Sequence, residues 1–365
     1  MKAAVVVGAR PNFMKAAPLM REFGSRRGID AFLVHTGQHY DENMSKVFFE
    51  DLNLPRPDIY LEIGSGTHAA QTAGVMVEFE KVVARNNPDL IIVVGDVNST
   101  LACSLVGAKQ HIPVAHVEAG LRSFDKRMPE EINRMVTDII SDFCFTTSPE
   151  AEFNLNREGI GKERIFFVGN VMIDSLKSYI EKSEQSRILE ELKLSKGKYI
   201  LVTLHRPSNV DDPAQFRSLF EVLDRLAESN RVVFPMHPRT RKVMDGAGIS
   251  LEAGSGFKVI EPVGYLDFLK CMKYSRLVVT DSGGIQEETT VLGIPCLTVR
   301  DNTERPITVR MGTNRLVGTR AEDLYASALE VLEEGVGDFS VPPLWDGMTA
   351  PRIADIIENA FDSAG

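Results

Sequence analysis

Uninterrupted β-branched runs that break off into polar residues recur along this chain, and Leu90 to Val94, LIIVV, is the clearest of them. A run without alternation cannot turn one side to water, so it suits a parallel strand covered on both faces. Gly95 and Asp96 follow at its carboxyl end. After a helix-length segment a second strand is expected over Ile112 to Val117, ending in Glu118. In an open α/β sheet the carboxyl ends of parallel strands share one edge, and ligands bind outside it. Asp96 and Glu118 are therefore expected to face one crevice. Pro129 suits the first position of a helix, which puts Glu130 and Glu131 in its first turn and Asn133 and Arg134 a turn onward. Carboxylates gathered at a cleft repel one another and spread their proton affinities, a useful state for acid/base chemistry. Plainer readings stand beside this one: Glu130 and Glu131 complement a helix dipole, and Asp96 starts a turn.

With 365 residues, 43% of them hydrophobic, the chain can bury two cores, so two domains of about 150–200 residues each are expected. The boundaries expected are 1–169 for the first, 170–345 for the second, and 346–365 for a last helix packing back on the first. A net charge of −10 argues against nucleic acid and anionic membranes as partners, so an anionic ligand needs local arginines. The opening MKAAVVVGARPNF has too short an apolar run for a signal peptide, and no stretch reaches membrane-span length. A cytoplasmic protein is expected. Cys103, Cys144, Cys271 and Cys296 lie far apart in apolar contexts without metal-like spacing, which suits reduced, buried thiols.

Taken in order, Lys2 to Gly8 reads as the first strand, with Arg10 past its end and Lys15 in the amphipathic segment after it. Ala31 to Val34 leads into HTGQHYDENM, where His35, Gln38, His39 and Asp41 crowd one loop without a fixed-spacing metal set. Gly64-Ser-Gly66-Thr-His-Ala69 matches a dinucleotide fingerprint. It follows only the short DIYLEI, third among the strands, and lacks a ribose-binding acid at the expected distance, so it is read as a mobile Gly-rich loop. A charged helix over Ile173 to Leu194 connects to the second half, which repeats the alternation. There, Tyr199 to Leu204 ends in His205-Arg206, Arg231 to Phe234 in Met236-His237, Leu277 to Thr280 in Asp281-Ser282-Gly283-Gly284, and Pro295 to Val299 in Arg300. Alternating strands and helices in both halves imply an α/β chain of two doubly wound domains with a cleft between them.

Ser282-Gly283-Gly284 joins a buried strand to a helix, where backbone N–H groups and the helix dipole favour an anion. It reads as a phosphate cradle, with a plain Gly-Gly turn as the alternative. Glu287 and Glu288 lie in the first turn of that helix, and a carboxylate there can accept from both hydroxyls of a ribose. Arg10, Arg206 and Arg305 are candidates for bidentate phosphate contacts.

The blocks VVGARPNFMK, HTGQHYDENM, VVGDVNSTLA, HVEAGLRS, RMPEEINR, TLHRP, FPMHPR, DSGGIQEE and DNTERP, in this order from Val7 to Pro306, resemble the non-hydrolysing UDP-N-acetylglucosamine 2-epimerase family. The resemblance implies the GT-B fold of two Rossmann-like domains, a homodimer, and no need of metal or nicotinamide cofactor. It implies that Asp96, Glu118, Glu130 and His205 form the catalytic group. UDP would be held by Arg10, Lys15, Ser282, Gly283, Gly284 and Glu288, with His237 nearby and Arg305 assisting. Departures are visible: the family often reads H-R-x-E-N where Pro207 and Ser208 here precede Asn209, and Asp41 and Thr67 stand where many bacterial members carry Gln or Arg for a second, activating UDP-sugar. The form GLRSF-x-x-RMPEEINR recurs in relatives acting on 2,3-diacetamido-glucuronate sugars.

The chemistry so implied is demanding. C2 of a UDP-HexNAc has no adjacent carbonyl, so its proton is removable only as the C1–O bond to UDP breaks, leaving a 2-acetamidoglucal. Carboxylates on both faces of C2 suit that reaction, and the base in each step stays unassigned among Asp96, Glu118 and Glu130. A GT-B glycosyltransferase, a nucleotide-sugar sensor and a hydrolysing epimerase are the competing classes.

Overall fold

The computed structural model describes residues 1–37, 56–236, 238–246, 248–249, 256–335 and 337–362. Gln38, His39 and Asp41 of the expected polar loop, and His237, lie outside the described residues.

Every strand pairing among the described residues is parallel, in keeping with the unbroken apolar runs. The first sheet contains β1 (Lys2–Val7), β2 (Asp30–His35), β3 (Ile59–Tyr60), β4 (Leu90–Val94), β5 (Val114–Ala119), β6 (Phe143–Thr146) and β7 (Ile165–Phe167), in the order β3-β2-β1-β4-β5-β6-β7. The second contains β8 (Tyr199–Thr203), β9 (Arg231–Pro235), β10 (Phe257–Ile260), β11 (Leu277–Thr280), β12 (Cys296–Thr298) and β13 (Asn314–Leu316), in the order β10-β9-β8-β11-β12-β13. Each order reverses beside its first strand, between β1 and β4 and between β8 and β11. Those two points are where doubly wound sheets open for ligands. The Gly64–Ala69 segment instead leaves the edge strand β3, away from the reversal.

The cores follow from the strand pattern. In the first sheet, β4 is buried along its whole length, and Ala4, Val6, Ile91 and Val93 pack on Val75, Phe79, Ala102 and Val106 of the covering helices. In the second, Ile200, Val202, Val232 and Val279 pack on Phe216, Phe220 and Leu223 of helix Pro213–Ala227 and on Leu324 of helix Ala321–Glu334. Full burial of each such aliphatic or aromatic side chain contributes about 1.5–3 kcal/mol relative to exposure.

Two expected elements are corrected. β5 starts after Pro113, which has no N–H to give a ladder, and it runs through Glu118 to Ala119 rather than stopping at Val117. The connecting helix ends at Ser183, and only a short turn of helix, Ile188–Glu191, follows. The break is held by the Lys270 ammonium, which donates to the Glu184 carbonyl at 2.9 Å and the Ser186 carbonyl at 2.6 Å, groups a continuing helix would have used internally.

The chain forms two compact units, Met1–Ser178 with Pro343–Gly365, and Tyr179–Pro342. The first division thus falls inside helix Val171–Ser183 rather than after Gly169, and the chain returns at Pro343. Trp345, the single tryptophan, is buried in the first unit and donates from Nε1 to the Thr147 carbonyl at 2.9 Å. Asp174 accepts from the Thr349 and Ala350 amides at 3.2 and 2.7 Å, capping the last helix, Thr349–Asp362. That helix lies against helix Arg10–Ser25, where Arg26 pairs with Asp355 at 2.7 Å and Glu358 at 2.9 Å. Trp345→Ala is expected to destabilise the first unit by about 3–5 kcal/mol. Urea unfolding followed by far-UV circular dichroism measures this, and an unchanged midpoint would mean that the returning segment adds nothing.

Candidate active site

The first unit's reversal point is tied together by one amide. Asn12, buried in the first turn of helix Arg10–Ser25, accepts from the Ala9 amide at 2.9 Å and donates to the Val94 carbonyl at 2.8 Å, joining the end of β1 to the end of β4. Arg10 is the first residue of that helix, and its side chain lies outside the described residues. A turn further, buried Lys15 forms an ion pair with the Glu118 carboxylate. Gly95, at φ +72°, makes room: a Cβ there would lie 3.1 Å from the Asn12 amide nitrogen and 3.2 Å from the Lys15 ammonium.

Glu118 sits where β5 slips its register against β6, between Val117 and Ala119, with φ at +76°. A left-handed conformation is costly for a residue with a Cβ, by about 1–3 kcal/mol, and such strain collects at functional sites. The bulge re-aims the side chain. The Glu118 side chain is buried, Oε2 takes Lys15, and Oε1 has no hydrogen-bond partner among the described residues.

Asp96 follows the Gly95 turn with its side chain 31% exposed, and its carboxylate pairs with Arg134. Arg134 comes from helix Pro129–Ile140, which also sends the Asn133 amide to the Asp96 carbonyl at 2.9 Å. The Arg134 guanidinium donates in addition to Glu131 at 2.6 Å. Glu131 accepts from the Ser123 and Phe124 amides at 2.9 and 2.8 Å, fixing the loop between Glu118 and the helix. Burial opposes ionisation of Glu131, but the Ser123 amide and Arg134 outweigh it and hold its carboxyl below the ordinary range. Glu130 is half-buried and has no side-chain partner among the described residues. Of the adjacent pair, then, Glu131 is the one engaged by the loop and by Arg134.

This helix is inside out. Its buried residues are Glu131, Asn133, Arg134, Thr137 and Asp138, while Ile132 and Ile139 are exposed and Met135 and Val136 half-exposed. The pattern is visible in the sequence as polar residues at helical spacing, and only their inward direction is not.

In the second unit, Asp281 anchors the reversal point. It is fully buried and accepts from the His205 and Arg206 amides at 3.0 and 2.9 Å and from the Asn209 side chain at 3.0 Å. His205 Nδ1 lies 3.1 Å from its other oxygen, and the ring is 53% exposed, so the carboxylate orients an otherwise open imidazole. Burial opposes the charge of Asp281, and the His205 contact and the Arg206 amide outweigh it, holding the carboxyl low. Asn209, after Pro207 and Ser208, thus still reaches this anchor.

Ser282 is the N-cap of helix Gly283–Leu292, and its hydroxyl makes no cap bond. Gly283 is needed because a Cβ would lie 2.5 Å from Arg305 Nη1 and 2.9 Å from a Glu304 oxygen. Arg305 packs directly beneath the turn, donating to Glu287 at 2.6 Å and Glu304 at 2.6 Å. These carboxylate partners hold the guanidinium against the Gly283 turn. Gly284 is half-buried in the same turn. Glu288 is buried and accepts from the Tyr265 hydroxyl at 2.7 Å. Burial pushes its carboxyl up to about 7, with the Tyr265 bond opposing and neighbouring Glu287 adding to the rise.

Sequence reasoning missed Asn12, His116, Asp138 and Tyr265, and named Asp281 without a role. Among the described residues, no cluster of three or more His, Cys, Asp or Glu is arranged to hold a metal ion, and no helix is long and apolar enough to cross a membrane.

Comparison with known proteins gives consistent likenesses. A family model described as UDP-N-acetylglucosamine 2-epimerase matches residues 21–358. The protein of that name from Methanocaldococcus jannaschii is 43% identical over 364 residues, 98% of this chain and 99% of its own. The UDP-2,3-diacetamido-2,3-dideoxy-D-glucuronate 2-epimerase of Pseudomonas aeruginosa is 42% identical over 341 residues, 93% of this chain and 94% of its own. The crystal structure of the M. jannaschii UDP-GlcNAc 2-epimerase in complex with UDP-GlcNAc and UDP superposes with a TM-score of 0.90 at 42% identity, covering 98% of this chain and 99% of that one. Two parallel, doubly wound units of this order are the two-domain Rossmann-like composition of the GT-B fold.

Proposed function

The chain belongs to the UDP-N-acetylglucosamine 2-epimerase family, and we propose that its own reaction is the reversible epimerisation of UDP-GlcNAc at C2 to UDP-ManNAc. The first unit supplies the carboxylates Asp96, Glu118 and Glu130. The second supplies His205 and the UDP site, with Ser282, Gly283 and Gly284 toward the diphosphate and Glu288 toward the ribose. Arg10, Lys15 and His237 complete the substrate contacts. The observation that carries this reading is Glu118: a buried carboxylate in a strained conformation, tied to Lys15 by one oxygen and with the other unpartnered.

In the first step the C1–O bond breaks and its electrons go to the β-phosphate oxygen of UDP. A carboxylate takes the C2 proton, and the C–H electrons form the C1=C2 bond of 2-acetamidoglucal. The helix N-terminus at Ser282–Gly284 suits the charge that develops on the leaving diphosphate. In the second step a proton returns to the other face of C2 and the UDP oxygen re-adds to C1. The sequence of steps is redox-neutral and consumes no water. UDP-2,3-diacetamido-glucuronate as substrate is the second reading, favoured by the 42% identity of the P. aeruginosa relative.

The apolar outer stripe of helix Pro129–Ile140 supports a homodimer through this face, since a helix normally buries such a stripe. Ile139→Glu is then expected to halve the mass seen by sedimentation velocity; an identical sedimentation coefficient would remove the stripe from the interface. The buried, unpaired cysteines suit work in a reducing cytoplasm.

Glu288 gives the UDP site a pH dependence. Ribose hydroxyls donate to a carboxylate, so binding favours the ionised form. With the free-state carboxyl at about 7, UDP affinity should rise about tenfold from pH 6 to pH 8, relative to a Glu288→Gln variant that cancels the titration of UDP itself. Calorimetric titration in both proteins tests this, and parallel pH profiles would detach Glu288 from the ribose.

The reaction itself is tested by NMR in D2O. UDP-GlcNAc should yield UDP-ManNAc carrying solvent deuterium at C2, with Asp96→Asn lowering turnover by at least about 100-fold. Release of free ManNAc would indicate hydrolysis, and an unchanged sugar beside a turned-over diacetamido-glucuronate would favour the second reading.

A further inference from the structure

Asp138 has no place in the reaction just described, yet it is the hub of a fully buried polar cluster behind the carboxylates of the first unit. It lies one turn past Arg134 on the inside-out helix. Its two oxygens serve two different segments. Oδ1 is 2.6 Å from His116 Nδ1, and His116 Nε2 is 2.8 Å from the Gly95 carbonyl, one residue before Asp96. Oδ2 accepts from the Gly120 amide at 3.1 Å, two residues after Glu118, and pairs with Arg122 at 2.7 Å. Arg122 is braced in turn by Glu158, its Nε 2.8 Å from one oxygen. Gly120 presents its amide at φ +79°, and a Cβ there would run into the Ala151 carbonyl, so the position suits glycine alone.

A cluster of this kind is poor evidence for stability. Desolvating the charges costs several kcal/mol per ion, and apolar residues of similar volume often do as well. What apolar residues could not do is hold two backbone segments at a defined separation. We infer that Asp138, acting directly on the Gly120 amide and through His116 on the Gly95 carbonyl, is a positioning residue that sets the distance between the Asp96 and Glu118 carboxylates. The role rests on the epimerase reading, and it concerns geometry at the reacting centre rather than affinity for UDP.

Polarity makes the test sharp. In Asp138→Asn the amide cannot accept at both ends, so one of His116 and Gly120 faces a donor. In His116→Gln the side chain can still donate to Gly95, but its oxygen then faces the Asp138 carboxylate. The double variant restores an uncharged chain: Gln donates to the Gly95 carbonyl, Asn donates to Gln, and Asn accepts from the Gly120 amide. Each single variant should lose about 10- to 100-fold in kcat, the cost of a misplaced catalytic group, with KM and UDP Kd within about twofold of wild type. The double variant should recover at least about tenfold over either single, a non-additivity that marks groups acting in series. Rates are taken per folded molecule, counted by UDP titration. Folded single variants with wild-type kcat, or a folded double variant no faster than the singles, would overturn the role. Should neither single variant fold, the double decides alone: turnover within about tenfold of wild type supports the role and a folded, inactive protein refutes it. A wild-type protein that leaves both UDP-sugars unchanged would defeat the epimerase reading, and this role with it, before any variant is compared.

Discussion

The first unit depends on a buried guanidinium. Arg134 is held between Asp96 and Glu131 with almost no access to water, and an unpaired cation there would be strongly destabilising. Its pairing therefore dictates where helix Pro129–Ile140 sits, which loop Glu131 gathers, and how the Asp96 turn is presented. The polar residues of this helix face inward because each has a defined partner there, and the apolar ones are left outside by helical geometry rather than by preference.

The second unit solves a similar problem with the opposite sign. Asp281 is a buried anion satisfied mainly by backbone amides and one asparagine, so the loop that carries His205 is shaped around it. In both units a buried charge organises the end of a central strand beside the reversal of strand order. An exposed or half-exposed group, Asp96 or His205, is then oriented by its neighbour rather than by its own packing. Such second partners restrict the rotamers of Asp96 and His205, the pre-organisation that the catalytic roles proposed for them require.

Much of this was legible in the sequence. LIIVV and the parallel runs before His205 and Asp281 read directly as strands, because full burial leaves no alternation to confuse. Ser282-Gly283-Gly284 reads as a strand-to-helix turn open to an anion, whereas the close approach of Arg305 to Gly283 comes from ion pairs that no spacing reveals. Glu118 read as a strand end, whereas it lies on a bulge: a register slip leaves no mark in the pattern of apolar residues. Glu130 and Glu131 share one helical turn, so local pattern alone does not separate them; Arg134 and the Ser123 and Phe124 amides, all on Glu131, do. Long-range polar partnerships such as Asn12 with Val94, or Tyr265 with Glu288, join residues too far apart in sequence for local periodicity to report.

The return of the chain at Pro343 has a consequence for biosynthesis. The first unit is discontinuous: its early strands emerge from the ribosome well before Trp345 and the last helix that Asp174 caps. Domains generally fold in order from the N-terminus during synthesis. Here the inserted unit, Tyr179–Pro342, is the one whose residues are all available first as a complete set. The vectorial order is thus split: all seven strands of the first sheet are made before the inserted unit, while the C-terminal segment joins that unit last, through contacts such as Arg26 with Glu358 that close a loop of 332 residues.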